Sequence, residues 1–178
     1  MKQTTAHWQV AGFIFTAILG TFLHFLFDWS KQNIVAALFS AVNESIWEHM
    51  KLLYYPMFIF ALIENRFLGK QYDHFWCVKL IGSLLGILLI PTFYYTYTGI
   101  LGSSADWFNI AIFFIVAGIV FWSETKLFKR KFACRISSPI AFILMCLIGA
   151  IFTFFTFLPP HIPLFADPIS GSYGFSQG

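Results

Sequence analysis

The sequence predicts an all-α membrane protein: a polytopic helix bundle of about five transmembrane helices plus a short interfacial or re-entrant helix. Three observations lead there. Asp, Glu, Lys and Arg make up only 11% of the 178 residues, against about 25% in an average soluble domain. Hydrophobic residues make up 58%, with 24 Phe among them. The apolar residues fall in runs long enough to cross about 30 Å of hydrocarbon, divided by short polar loops. A chain of this length makes one bundle, so residues 1–178 read as a single transmembrane domain. The net charge of +3 is small and gives no sign of a nucleic-acid partner.

The first span covers about 8–27. No small-residue cleavage site follows it, so it reads as a retained anchor. His24 and Asp28 lie one turn apart at its far end and share a face. Residues 29–42 are apolar but too short to cross, which predicts the interfacial or re-entrant helix. The second span covers about 43–64. Asn43 suits its N-cap, and Ser45 with Glu48 also reads as a capping box. Pro56 lacks an N–H, which predicts a kink and freed backbone one turn past these polar residues. A basic loop leads to the third span, about 75–95, with Lys79 near its start and the aromatic belt Phe93-Tyr-Tyr-Thr-Tyr97 at its end. The fourth span is about 107–122. A loop from Glu124 to Arg135 precedes the fifth, about 139–158. The Pro-rich tail, 159–178, is an extended segment or loop over the bundle, loose beyond Gly171. The three cysteines show no paired spacing and read as reduced thiols.

Five crossings sort the charges. One side takes Lys2, Arg66, Lys70, Lys79, Lys126, Lys129, Arg130, Lys131 and Arg135; the other takes only Lys31 and Lys51. The positive-inside rule then makes this a multi-pass cell-membrane protein with a cytoplasmic N-terminus and an extracytoplasmic C-terminus. The acids Asp28, Glu44, Glu48, Asp106 and Asp167 fall on the extracytoplasmic side, with His24, His49 and His161. Topology gathers residues of metal-ligand type in one layer.

The densest polar stretch is Ala41-Val-Asn-Glu-Ser-Ile-Trp-Glu-His-Met-Lys51. Such groups beside a membrane segment are costly unless used. Glu44 and Glu48 stand four apart, on one face of a continuous helix. The expected metal ligands are His24, Glu44, Glu48 and His161, with Asp28 or Asp167 as a further ligand or support and His49 as the alternate. Three or four N/O ligands suit a divalent metal, zinc before iron or manganese. A polar network without metal is the alternative: Glu48 with Lys51, Asp28 with Lys31, histidines on backbone carbonyls.

The motif Asn43-Glu-Ser-Ile-Trp-Glu-His-Met-Lys51 resembles that of a family of small, uncharacterised bacterial integral membrane proteins, a domain of unknown function. That family carries Asn-Glu-Ser-x-Trp-Glu-His-x-Lys, a Leu-His-Phe matched by Leu23-His24-Phe25, and a closing Pro-Pro-His segment matched from Pro159 to Pro168 and at Tyr173-Gly174. Ala41 stands where the family usually has Pro. The resemblance implies no activity. The residue types also resemble those of ceramidase-like hydrolases, which hold zinc near a membrane face; the motif order does not match.

Two functions fit. The first is a metal-dependent hydrolase in which metal-bound water attacks a lipid or lipid-linked substrate from the bilayer and Glu44 or Glu48 acts as general base. The second is a non-catalytic binding or transport protein whose polar cluster is structural or holds a small ligand. A bundle this rich in Phe is also suited to pair as a homodimer.

Overall fold

A computed structural model describes residues 5–130 and 134–175; Lys2, Lys131 and the side chain of Asp106 lie outside the described residues. The described chain is all-α, with helices α1 (Thr5–Trp29), α2 (Ile34–Ala37), α3 (Ile46–Leu68), α4 (Phe75–Leu101), α5 (Asp106–Lys129) and α6 (Ser138–Phe157). By length and composition, α1, α4, α5 and α6 are apolar enough to cross a membrane. Helix α3 has the length, 23 residues, but carries Glu48, Lys51, Glu64 and Arg66 and falls short of the others in apolar character.

The burial pattern explains that difference. Helix α3 is the axis of the bundle, packed against α1, α4 and α6. Its charged residues Glu48, Lys51 and Glu64 are buried against protein rather than exposed. The outer helices have the opposite pattern. Val10, Ile14 and Ile18 on α1, and Ile140, Ile143 and Leu147 on α6, are exposed. Apolar residues outside and charged residues inside is the arrangement a hydrocarbon solvent selects.

Two polar clusters hold the axis. At one end, Lys51 Nζ lies 2.6 Å from Glu48 Oε2 and donates to the Ala37 carbonyl at 3.0 Å and to Thr156 Oγ1 at 2.8 Å. Thr156 Oγ1 in turn donates to Glu48 Oε1 at 2.8 Å. This ties α3 to both α2 and α6. At the other end, Lys79 Nζ sits 2.6 Å from Glu64 Oε2 and 2.5 Å from Glu124 Oε2. Gln9 Nε2 donates to Glu64 Oε1 at 2.7 Å, so α3 and α5 meet on the α4 ammonium and α1 joins them through Glu64.

The turn after α1 passes through left-handed backbone at Lys31 and Gln32. The short helix expected over 29–42 is a single turn, α2, capped by Asn33, whose side chain accepts from Val35 N. The tail is ordered through Phe175 rather than loose beyond Gly171. Phe175 N donates to the Thr156 carbonyl at 2.7 Å, Asp167 N to the Ser172 carbonyl at 2.9 Å and Trp47 N to the Leu164 carbonyl at 3.1 Å. The tail therefore lies across the start of α3 and the end of α6.

Cys77 and Cys134 form a disulfide, not the reduced thiols expected; Cys146 is free. Their sequence separation of 57 residues hid the pairing. It arises because the first turn of α4 lies beside the chain leading into α6.

Candidate metal centre

The centre depends on where α3 begins. Of the two caps the sequence offers, Asn43 and Ser45 with Glu48, the structure uses the second: the helix starts at Ile46 and Ser45 caps it, its side chain accepting from Glu48 N. Asn43 instead folds the approach: its Oδ1 accepts from Ser45 N at 3.0 Å, and its Nδ2 donates to the Gly174 carbonyl at 3.3 Å. Glu44 is consequently outside the helix. The four-residue spacing that put Glu44 and Glu48 on one face applies only to continuous helix, so their carboxylates part.

Glu44 turns toward two histidines. Its Oε1 lies 3.7 Å from His24 Nε2 on α1, and its Oε2 lies 3.5 Å from His49 Nε2 on α3. The two imidazole centroids are 5.8 Å apart. One ligand-type atom from each residue lies within 4.8 Å of the others, and all three side chains are partly buried. Ligands about 2 Å from a shared zinc stand no more than about 4 Å apart. The trio thus needs only about 1 Å of side-chain adjustment to enclose one.

His49 is oriented from behind. Its Nδ1 lies 2.9 Å from the Ser45 carbonyl. A carbonyl only accepts, so Nδ1 donates and Nε2 is left facing Glu44. Metal-ligating histidines are held by the same kind of bond. His24 Nδ1 is buried with no hydrogen-bond partner.

The other expected ligands lie elsewhere. Glu48 is 1% exposed and is consumed by Lys51 and Thr156. Asp28 is exposed on the next turn of α1, outside the trio. His161 is exposed and lies tilted against Tyr173, with centroids 4.7 Å apart. Asp167 caps a turn of the tail, accepting from Ile169 N at 2.8 Å and from Ser170 Oγ at 2.9 Å.

Beside the trio opens a cleft of about 200 Å³ between α1, α3 and α5. His24 and His49 stand at its polar end with Asn109, and Gly20, Ile110 and Phe114 line the rest. Asn109 is held by the hydroxyl of Tyr97, which donates to its Oδ1, and its Nδ2 donates to Ser104 Oγ at 3.2 Å. Asn109 was not among the expected site residues. The one signal for it was an amide inside an otherwise apolar span.

A family model matches residues 1–175; the family is one of unknown function (DUF6512). No curated protein and no solved structure matches the chain.

Proposed function

The chain belongs to this family of unknown function, and we propose that it is an integral membrane protein whose His24, Glu44 and His49 hold one divalent metal for hydrolysis of a lipid or lipid-linked substrate. The observation that carries this reading is the trio's ligand atoms, within 4.8 Å of one another, two of whose residues, His24 and His49, line an apolar cleft. Two imidazoles and one carboxylate are a donor set used by catalytic zinc, which keeps a further position for water. Iron or manganese suits the same donors less selectively.

A metal held by His24, Glu44 and His49 would supply Lewis-acid polarisation and a water activated near neutral pH. Glu44 would accept that water's proton and return it to the leaving oxygen or nitrogen as the water oxygen bonds to the carbonyl carbon and the bond to the leaving atom breaks. Asn109 lines the same cleft, and its amide is suited to hold a substrate oxygen. Glu48 supports this end of α3 through Lys51.

The topology belongs to the same proposal. Helix α3 crosses with the four apolar helices, which gives five crossings. The basic bias then sets the N-terminus in the cytoplasm of a cell-membrane protein and the trio at the extracytoplasmic face.

The distances of 3.7 and 3.5 Å also suit a polar network of Glu44 with the two imidazoles and no metal. That favours the second reading, a non-catalytic binding protein. Elemental analysis of detergent-purified protein, before and after chelation, separates them. About one zinc, iron or manganese per chain supports the hydrolase. A folded protein without metal, even after incubation with zinc, rejects it.

A further inference from the structure

We infer that the cleft between α1 and α5 holds one acyl chain of the substrate, admitted sideways from the bilayer, with its carbonyl at the trio. This rests on the proposed hydrolase reading and specifies its substrate as an amphiphile presented chain-first to the bundle.

Three features argue for a chain. The first is polarity. Both histidines and Asn109 lie at one end, while Leu52, Ile110, Phe113 and Phe114 supply apolar wall. The second is direction. Going from His24 to Gly20 on α1, and from Asn109 to Phe114 on α5, the cleft recedes from the trio by about 6–8 Å at 1.5 Å per residue. A lipid of the adjoining leaflet has the same sense, polar group at the face and chain inward. The third is access. Phe25, Ile110 and Phe114 on its rim are 44%, 60% and 38% exposed, on a surface that the membrane reading turns toward hydrocarbon. The cleft's volume of about 200 Å³ is below the roughly 300–1,000 Å³ of sites that engulf a whole small molecule. It suits one chain, with the remainder of the lipid outside.

The floor is built for close approach. A Cβ at Gly20 would lie 2.6 Å from Phe113 Cζ and 3.0 Å from the Leu52 carbonyl oxygen. That carbonyl is the one Pro56 cannot bond, because proline has no N–H. Glycine on α1 and proline on α3 together bring the three helices into register beneath the trio.

The test is photocrosslinking with a lysophosphatidylcholine that carries a diazirine in its single chain, added to the full protein in phosphatidylcholine vesicles, with bound metal measured on the same samples. The expected result is saturable labelling of peptides containing Gly20–Phe25 and Ile110–Phe114. Unlabelled lysophosphatidylcholine competes it away, and Ile110→Trp lowers it by about fivefold or more by filling the cleft, with metal content unchanged. Should that variant not fold, Ile110→Cys alkylated after purification replaces it. Non-saturable labelling spread equally over other exposed apolar residues such as Ile18 and Ile143 overturns the inference, whatever the metal result. Saturable labelling without metal keeps the chain site and removes the hydrolase; metal with diffuse labelling does the reverse.

Discussion

His49 Nδ1 donates a hydrogen bond to the carbonyl of Ser45, 2.9 Å away, and this one bond turns Nε2 toward Glu44. Ser45 is also the N-cap of α3. The residue that starts the helix therefore aims the imidazole one turn later. From this follows a division within the polar motif: Glu44 and His49 face His24, whereas Asn43, Ser45, Glu48 and Lys51 hold the chain that presents them.

If that division holds, substitutions separate binding from folding. His24→Ala, Glu44→Gln and His49→Ala each lower metal affinity by more than about tenfold while the protein still inserts and purifies. Glu48→Gln retains metal and lowers the thermal unfolding temperature in detergent. Metal titration of the four variants decides it. Loss of metal in Glu48→Gln with normal stability would return Glu48 to the ligand set.

The sequence reading brought the polar residues together more readily than it ranked them. Low charge and apolar runs depend on composition, which holds whatever the side chains do. They brought His24 and the 43–51 stretch to one layer. The choice between Glu44 and Glu48 depended on where α3 begins, and a shift from Asn43 to Ser45 as cap moved one carboxylate out of the helix. The pairing of Glu48 with Lys51, three residues apart, was legible as the metal-free alternative, and it forms: the ammonium takes Glu48, Thr156 and the Ala37 carbonyl together. The share of α6 in that convergence comes from 105 residues away, and no local pattern signals it.

Lys51 is 0% exposed. Removing one partner of a buried ion pair leaves an uncompensated charge and costs about 3–5 kcal/mol. Lys51→Met is therefore expected to destabilise strongly, and the double variant Lys51→Met with Glu48→Gln to recover part of the loss. Unfolding in detergent measures both. An equal loss in single and double variants would show that the pair is not coupled.

The opposite cluster behaves asymmetrically. Lys79 faces two carboxylates, Glu64 and Glu124. Lys79→Met strands both and is expected to cost about 3–5 kcal/mol or more. Glu124→Gln leaves one ammonium with one carboxylate and costs less. Gly82 belongs to the same contact, because a Cβ there would collide with Glu124 Oε1. Gly82→Ala is expected to cost about 1–3 kcal/mol by overpacking, and Glu124→Gln not to relieve it, since the amide keeps the bulk. Thermal unfolding of the three variants gives the order; a Glu124→Gln loss as large as that of Lys79→Met would contradict it.

Orientation can be read from the cysteines. Cys77 and Cys134 have Cα atoms 6.5 Å apart, within reach of a disulfide. They lie at the end that carries Arg66, Lys70 and Lys126. If the basic bias sets that end in the cytoplasm, the compartment keeps the pair reduced in cells. Exposure of the purified protein to air then closes the bond between them. Alkylating intact cells with a permeant maleimide before lysis is expected to modify both residues, and alkylating air-oxidised purified protein to modify neither until a reductant is added. A pair already oxidised in growing cells would place the basic end in an oxidising compartment. The N-terminus would then lie outside, and the trio, with its cleft, would open to lipids of the inner leaflet instead.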